Sequence, residues 1–179
     1  MLHHAVPAAA LALVGAGACG LLRVNLSESV PIGLYAVHPG AAPRRGMLAV
    51  ACLPDALGRE GMARGYLQPG GCPGGAEPVL KPVAAVAGDT VDVDAAGVSV
   101  NGVPAVPPAL ARDSQGRATA AVPPGRYPVP EGAVWLLSAH SPLSWDGRYW
   151  GPVPAHAVVN GAFARGSPSG TIGWLKRIV

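Results

Sequence analysis

The sequence predicts a mostly β domain, an irregular set of sheets with long connections, preceded by one apolar N-terminal segment. Three observations carry that expectation. Gly (25) and Pro (20) are abundant among 179 residues, and at that frequency they cut helices short and favour strands, turns and loops. From Val79 onward the apolar residues come in short runs of period two, as half-buried strands require. Outside the N-terminal segment, no window holds apolar residues at helical spacing for three clean turns.

In chain order, residues 5–22, "AVPAAALALVGAGACGLL", are 18 residues without a charge. That is the short edge of what spans a bilayer, and Ala and Gly make it only mildly hydrophobic. The expectation is a retained membrane anchor over residues 1–23 and a domain over 24–179. A cleaved signal peptide competes, because Ala16-Gly17-Ala18 offers a small-x-small cleavage site. A buried core helix is the third reading. Arg23 is the lone nearby basic residue, so charge bias says little about topology.

Next comes "NLSESVPIGLY", residues 25–35, with Ser27 and Ser29 ahead of a Pro31-x-Gly33 turn. It reads either as a polar linker or as a nucleophile held near the membrane surface. Residues 54–66 suit one short helix. Cys52 and Cys72 bracket a Gly- and Pro-rich loop. In an exported domain that pair forms a disulfide, and in the cytosol it would be two separate thiols. A bridge closing about 20 residues stabilises by about 3 kcal/mol on the chain-entropy estimate. "TVDVDAAGVSVNG" supplies two strands, with Val91 and Val93, then Val98 and Val100, joined by a turn at Asp94–Gly97. Asn101-Gly102 is a tight-turn signal. Further strands are expected at 127–129, 133–140 and 155–164. No internal repeat is visible.

Composition narrows the function. The formal charge is +3, and Arg44-Arg45 and Lys176-Arg177 are isolated pairs rather than a basic stripe, which argues against nucleic-acid binding. Only two of the 13 basic residues are lysine, at 81 and 176. Where any positive charge would serve, the chain uses arginine, so a retained lysine points to an amine that has to lose its proton. Lys81 sits in "VLKPVAAVAG", apolar on both sides, the setting in which burial lowers a lysine pKa enough for it to act as a base. A serine hydroxyl needs such a base to become a nucleophile. His140 and His156 raise a Ser-His pair instead, but no Gly-x-Ser-x-Gly elbow accompanies any serine. No metal-ligand spacing is present among the histidines and acids, and no cofactor is implied.

Taken in order, "SESVPIGLY", "LKPVAAVAGDTV" and "SWDGRYWGPVP" resemble the three signature blocks of the type I signal peptidase superfamily, most closely its conjugative-transfer branch of TraF-type serine peptidases. The resemblance covers almost the whole chain. It implies a signal-peptidase-like irregular β-sheet fold with an N-terminal transmembrane helix, and a periplasmic Ser-Lys peptidase domain on the outer side of the cytoplasmic membrane. It implies Ser29 as nucleophile and Lys81 as general base. Ser27 and the Ser29 amide would form the oxyanion site, with Ser144, Asp146, Arg148 and Asp89 in support. Three departures favour the conjugative branch over housekeeping enzymes. Pro82 stands where a basic residue usually follows the lysine, "SAHSPLS" replaces a Gly-Asp-Asn-Arg run, and Gly147 replaces a common serine. The implied partners are a membrane, an exported precursor such as a pilin-like subunit, and components of a conjugation or secretion apparatus. A housekeeping-type leader peptidase, an inactive anchored assembly protein and a self-cleaving Ser-Lys protein of the LexA kind are the competing readings.

Overall fold

The computed structural model describes residues 22–164; the body of the predicted anchor, residues 1–21, and the C-terminal residues 165–179, with Lys176, lie outside the described residues. The elements are β1 (Leu22–Asn25), β2 (Gly33–Pro39), β3 (Leu48–Ala51), α1 (Asp55–Ala63), β4 (Val79–Ala85), β5 (Thr90–Asp94) and β6 (Gly97–Val100). They continue with β7 (Val103–Val106), β8 (Gly125–Pro128), β9 (Ala133–Leu136), α2 (Gly147–Trp150), β10 (Val153–Pro154) and β11 (Val158–Ala164). The domain is mostly β, as the period-two runs imply. Among the described residues no helix is long and apolar enough to cross a membrane. The sheet begins at Leu22, within the last two residues of the predicted 1–23 segment.

Two antiparallel sheets form. The larger has strand order β1-β2-β11-β3-β4-β9-β10, and the smaller β7-β6-β5-β8. β5 and β6 pair Val91 with Val100 and Val93 with Val98, around the expected turn. Asn101 (φ 52°) and Gly102 (φ 78°) then turn the chain into β7, both in the left-handed region that a tight hairpin demands. The expected helix at 54–66 is α1, where Gly61 is required. A Cβ there would come within 2.6 Å of Leu67 and 2.9 Å of Trp145.

Two expected strands differ in extent. Residues 133–140 pair only as far as Leu136. The Leu137 N–H donates to the Pro82 carbonyl at 3.1 Å, and Pro82 has no N–H to return, so the ladder stops there. Residues 155–157 form a 3₁₀ turn, and the strand starts at Val158.

Burial explains the layering. One apolar cluster joins Ala49, Ala51, Val79, Val83, Val134 and Leu136; a second joins the smaller sheet to Trp135 and Leu137; a third packs Val30, Tyr35, Leu48, Val50 and Leu80. β3 therefore sends alternate residues to opposite sides, as a strand does. β4 is buried along its whole length, with Lys81 in its middle, in register with Ala49 of β3. Cys52 and Cys72 form a disulfide, with Cα atoms 5.4 Å apart, the first of the two readings of that pair. It ties the end of β3 to the loop that leads into β4.

Candidate active site

Ser29 lies in the irregular segment between β1 and β2. That segment is held from several directions. Asn25, the last residue of β1 and buried, donates through Nδ2 to the carbonyls of Ser27 (2.8 Å), Val30 (3.0 Å) and Pro31 (3.2 Å). Its Oδ1 accepts the Ser27 N–H (3.3 Å) and hydroxyl (2.8 Å). The Tyr35 hydroxyl donates to the Pro31 carbonyl at 2.6 Å. Val30 is fully buried and anchors the segment in the third cluster.

Lys81 arrives from β4, 52 residues later, with Nζ 2.5 Å from Ser29 Oγ and 2.6 Å from Ser144 Oγ. Its exposure is 4%. Burial pushes its ammonium from 10.5 down to about 8; the nearby Asp146 carboxylate pulls it back up, and Arg148 adds to the lowering. Ser144 Oγ also lies 3.4 Å from Ser29 Oγ, so the three groups form one cluster.

The support for Ser144 is an ion pair with no exposure to speak of. Asp146 and Arg148 are 0% and 1% exposed, joined by Nε to Oδ1 and Nη2 to Oδ2, each 2.9 Å. This two-toothed geometry compensates two buried charges far better than a single contact. Asp146 also caps α2 by accepting the Arg148 N–H at 3.1 Å. Arg148 Nη2 reaches the Ser144 carbonyl at 3.0 Å.

Of the residues singled out in the sequence, Ser29, Lys81, Ser144, Asp146 and Arg148 come together. Ser27 lines the same cleft, with its proton directed at Asn25. Asp89 is elsewhere. It closes the β4–β5 turn by accepting the Val86 N–H (2.9 Å), and it binds Arg45 (3.0 Å) and Asn101 (2.8 Å). Its support is for the scaffold. Two residues escaped sequence reasoning. Asn25 carried a usable signal, since Asn in a polar segment readily bonds the main chain ahead of it. Ser138 is fully buried, and its hydroxyl donates to the Ser29 carbonyl. Its signal was a lone hydroxyl at the end of the apolar run "AVWLL".

A cleft of about 470 Å³ opens on Ser29 and Lys81, lined by Arg23, Val24 and Leu26 from the first strand and its exit, and by Pro78, Val79 and Leu80. Among the described residues β1 pairs only with β2 and lies at an edge of the sheet. Arg23 Nη2 donates to the Pro78 carbonyl at 2.5 Å, linking the two sides of the cleft. An edge strand beside a cleft lined by both apolar and polar side chains, Gln68 and Glu77 among them, can take an extended peptide as an added strand. A serine hydroxyl against a buried amine with a lowered pKa can perform acyl transfer.

The family described as signal peptidase, peptidase S26, matches residues 2–166. The chain belongs to that family. Within it, this S26 member falls in the TraF-type branch. It is 42% identical over 161 residues to the probable conjugal transfer protein TraF of Sinorhizobium fredii strain NGR234, covering 84% of this chain and 80% of that one. It is 39% identical over 152 residues to the conjugal transfer protein TraF of Agrobacterium fabrum, covering 82% and 84%. A plasmid transfer protein TraF of Escherichia coli is 35% identical over 153 residues, covering 84% and 86%. A signal peptidase I from Enterococcus faecalis V583 is 21% identical, with a TM-score of 0.38 over 66% of this chain and 94% of that one.

Proposed function

We propose that the protein is a membrane-anchored serine endopeptidase that processes exported precursors through an acyl-enzyme on Ser29, with Lys81 as its base. The observation that carries this reading is the 2.5 Å approach of a buried amine, its pKa lowered to about 8, to the Ser29 hydroxyl. In the proposed mechanism neutral Lys81 takes the Ser29 proton as Oγ attacks the scissile carbonyl carbon. The Ser29 N–H and the Ser27 hydroxyl, once turned from Asn25, donate to the oxyanion. Collapse expels the amine, which takes the proton from Lys81, and leaves an ester on Ser29. Water, deprotonated by Lys81, then attacks the ester carbonyl carbon. The bond to Ser29 Oγ breaks, Oγ takes the proton back from Lys81, and the acid is released; an incoming amine in place of water would join ends instead. Ser144 accepts a Lys81 N–H throughout and aims the lone pair at Ser29.

The edge strand along the cleft supports an extended peptide substrate. The exposed side chains of Val24, Leu26 (77%), Ile32 and Leu143 surround the site with apolar surface, consistent with work at a membrane boundary and with a retained anchor before Leu22. Tethering enzyme and substrate to one bilayer raises their effective concentration. The names of the relatives support a role in conjugal transfer; the proposed reading adds a pilin-like exported subunit as substrate and places the domain on the periplasmic side. An inactive assembly role fits those names equally, but leaves a buried lysine against a serine without a purpose.

The test is processing of a pilin-like precursor co-expressed in a bacterial membrane, read by mass spectrometry for wild type, Ser29→Ala and Lys81→Ala. Both variants are expected to lose processing while remaining folded and anchored, and the product mass separates cleavage from cyclisation. Undiminished processing by Ser29→Ala would sink the assignment.

A further inference from the structure

We infer that Ser138 is a positioning residue, whose hydroxyl holds the Ser29 main chain so that Ser29 Oγ stays within reach of Lys81. This rests on the Ser29–Lys81 reading above. A carbonyl can only accept, so the Ser138 proton is committed to the Ser29 carbonyl. The Ser138 oxygen in turn accepts the His140 N–H at 3.3 Å, which fixes the hydroxyl's rotation. The Ser138 N–H donates to Asp146 Oδ2 at 3.1 Å.

The consequence is geometric. Asn25 and Tyr35 bind the carbonyls of Ser27, Val30 and Pro31, while Ser138 takes that of Ser29 itself. From Ser138 the connection runs through Asp146 and Arg148 to the Ser144 carbonyl, and the Ser144 hydroxyl holds Lys81. One stretch, residues 138–148, thus grips the serine by its main chain and the lysine by its amine. Without the Ser138 hydroxyl the Ser29 peptide loses a tether from the core, and a displacement of about 1 Å at a reacting atom costs up to about a hundredfold in rate.

The experiment measures covalent labelling of Ser29 by a fluorophosphonate probe in the full-length protein, as a function of pH, alongside thermal unfolding. Ser138→Ala removes the hydroxyl, and Ser138→Cys keeps the packing with a weaker donor. Ser141→Ala removes a buried hydroxyl from the same loop, one that accepts the Leu143 N–H at 3.3 Å. The expected result is labelling slowed about ten- to a hundredfold in both Ser138 variants, with the pH midpoint unmoved because Lys81 keeps its surroundings. Ser141→Ala is expected to label at the wild-type rate. Wild-type labelling in both Ser138 variants, or equal slowing in Ser141→Ala, overturns the inference alone. Absence of Ser29 labelling in the wild type overturns the proposed function and takes this inference with it.

Discussion

A lysine packed inside a sheet loses the water that would stabilise its charge, and Lys81 answers by holding its proton less tightly. Two outcomes follow at this residue. Processing activity is expected to rise with pH through about 8, as the amine becomes neutral, and a pH–rate profile with no ionisation there would contradict the base assignment. The second outcome concerns stability. The folded value lies below the 10.5 of the free side chain, so unfolding takes up a proton between about pH 8 and 10.5. The burden Lys81 places on folding, about 3 kcal/mol, is therefore complete below pH 8 and fades as pH rises towards 10.5. Lys81→Met is expected to inactivate the protein yet raise its unfolding midpoint at pH 7, with the gain shrinking at pH 10. A lowered midpoint at pH 7 would refute this. Lys81 was legible in the sequence because lysine is scarce and its neighbours are apolar. Ser138 was not, because its partner Ser29 lies 109 residues away and a contact at that range leaves no local periodicity.

At the scale of elements, turn chemistry and alternation identified the β5–β6 hairpin and the Asn101-Gly102 turn, since both are set by adjacent residues. β1 was hidden because four residues between an apolar segment and a polar loop are too few for alternation to register. The early end of β9 depends on Pro82 in a different strand, information that the 133–140 run does not contain. The loop between Cys52 and Cys72 shows how an element reaches the site. Tyr66, Leu67 and Gln68 within it line the cleft, and the disulfide fixes its far end to β3. Replacing both cysteines by serine is expected to cost about 3 kcal/mol, measurable by urea unfolding under oxidising conditions. Wild type under reducing conditions should match the double variant; an unchanged midpoint would show that the bridge is dispensable.

At the scale of the molecule, the strand order could not be read from the sequence. Pattern identifies strands but not their neighbours, and the larger sheet interleaves distant segments. Its last strand, β11, lies between β2 and β3, so within the hydrogen-bonded ladder the β1–β2 hairpin that carries Ser29 reaches β4, which carries Lys81, by way of β11 and β3. A chain ending at Ala157 is expected to keep both residues yet give no Ser29 labelling. Labelling of that truncated chain would show that the hairpin docks without its neighbour. The interleaving also has a consequence in time. A polypeptide emerging amino end first presents its hydroxyl early and its amine some fifty residues afterwards, but the seam between them stays open until nearly the whole domain has arrived. Under the proposed function, a newly made chain would gain competence only once β11 has taken its place between β2 and β3.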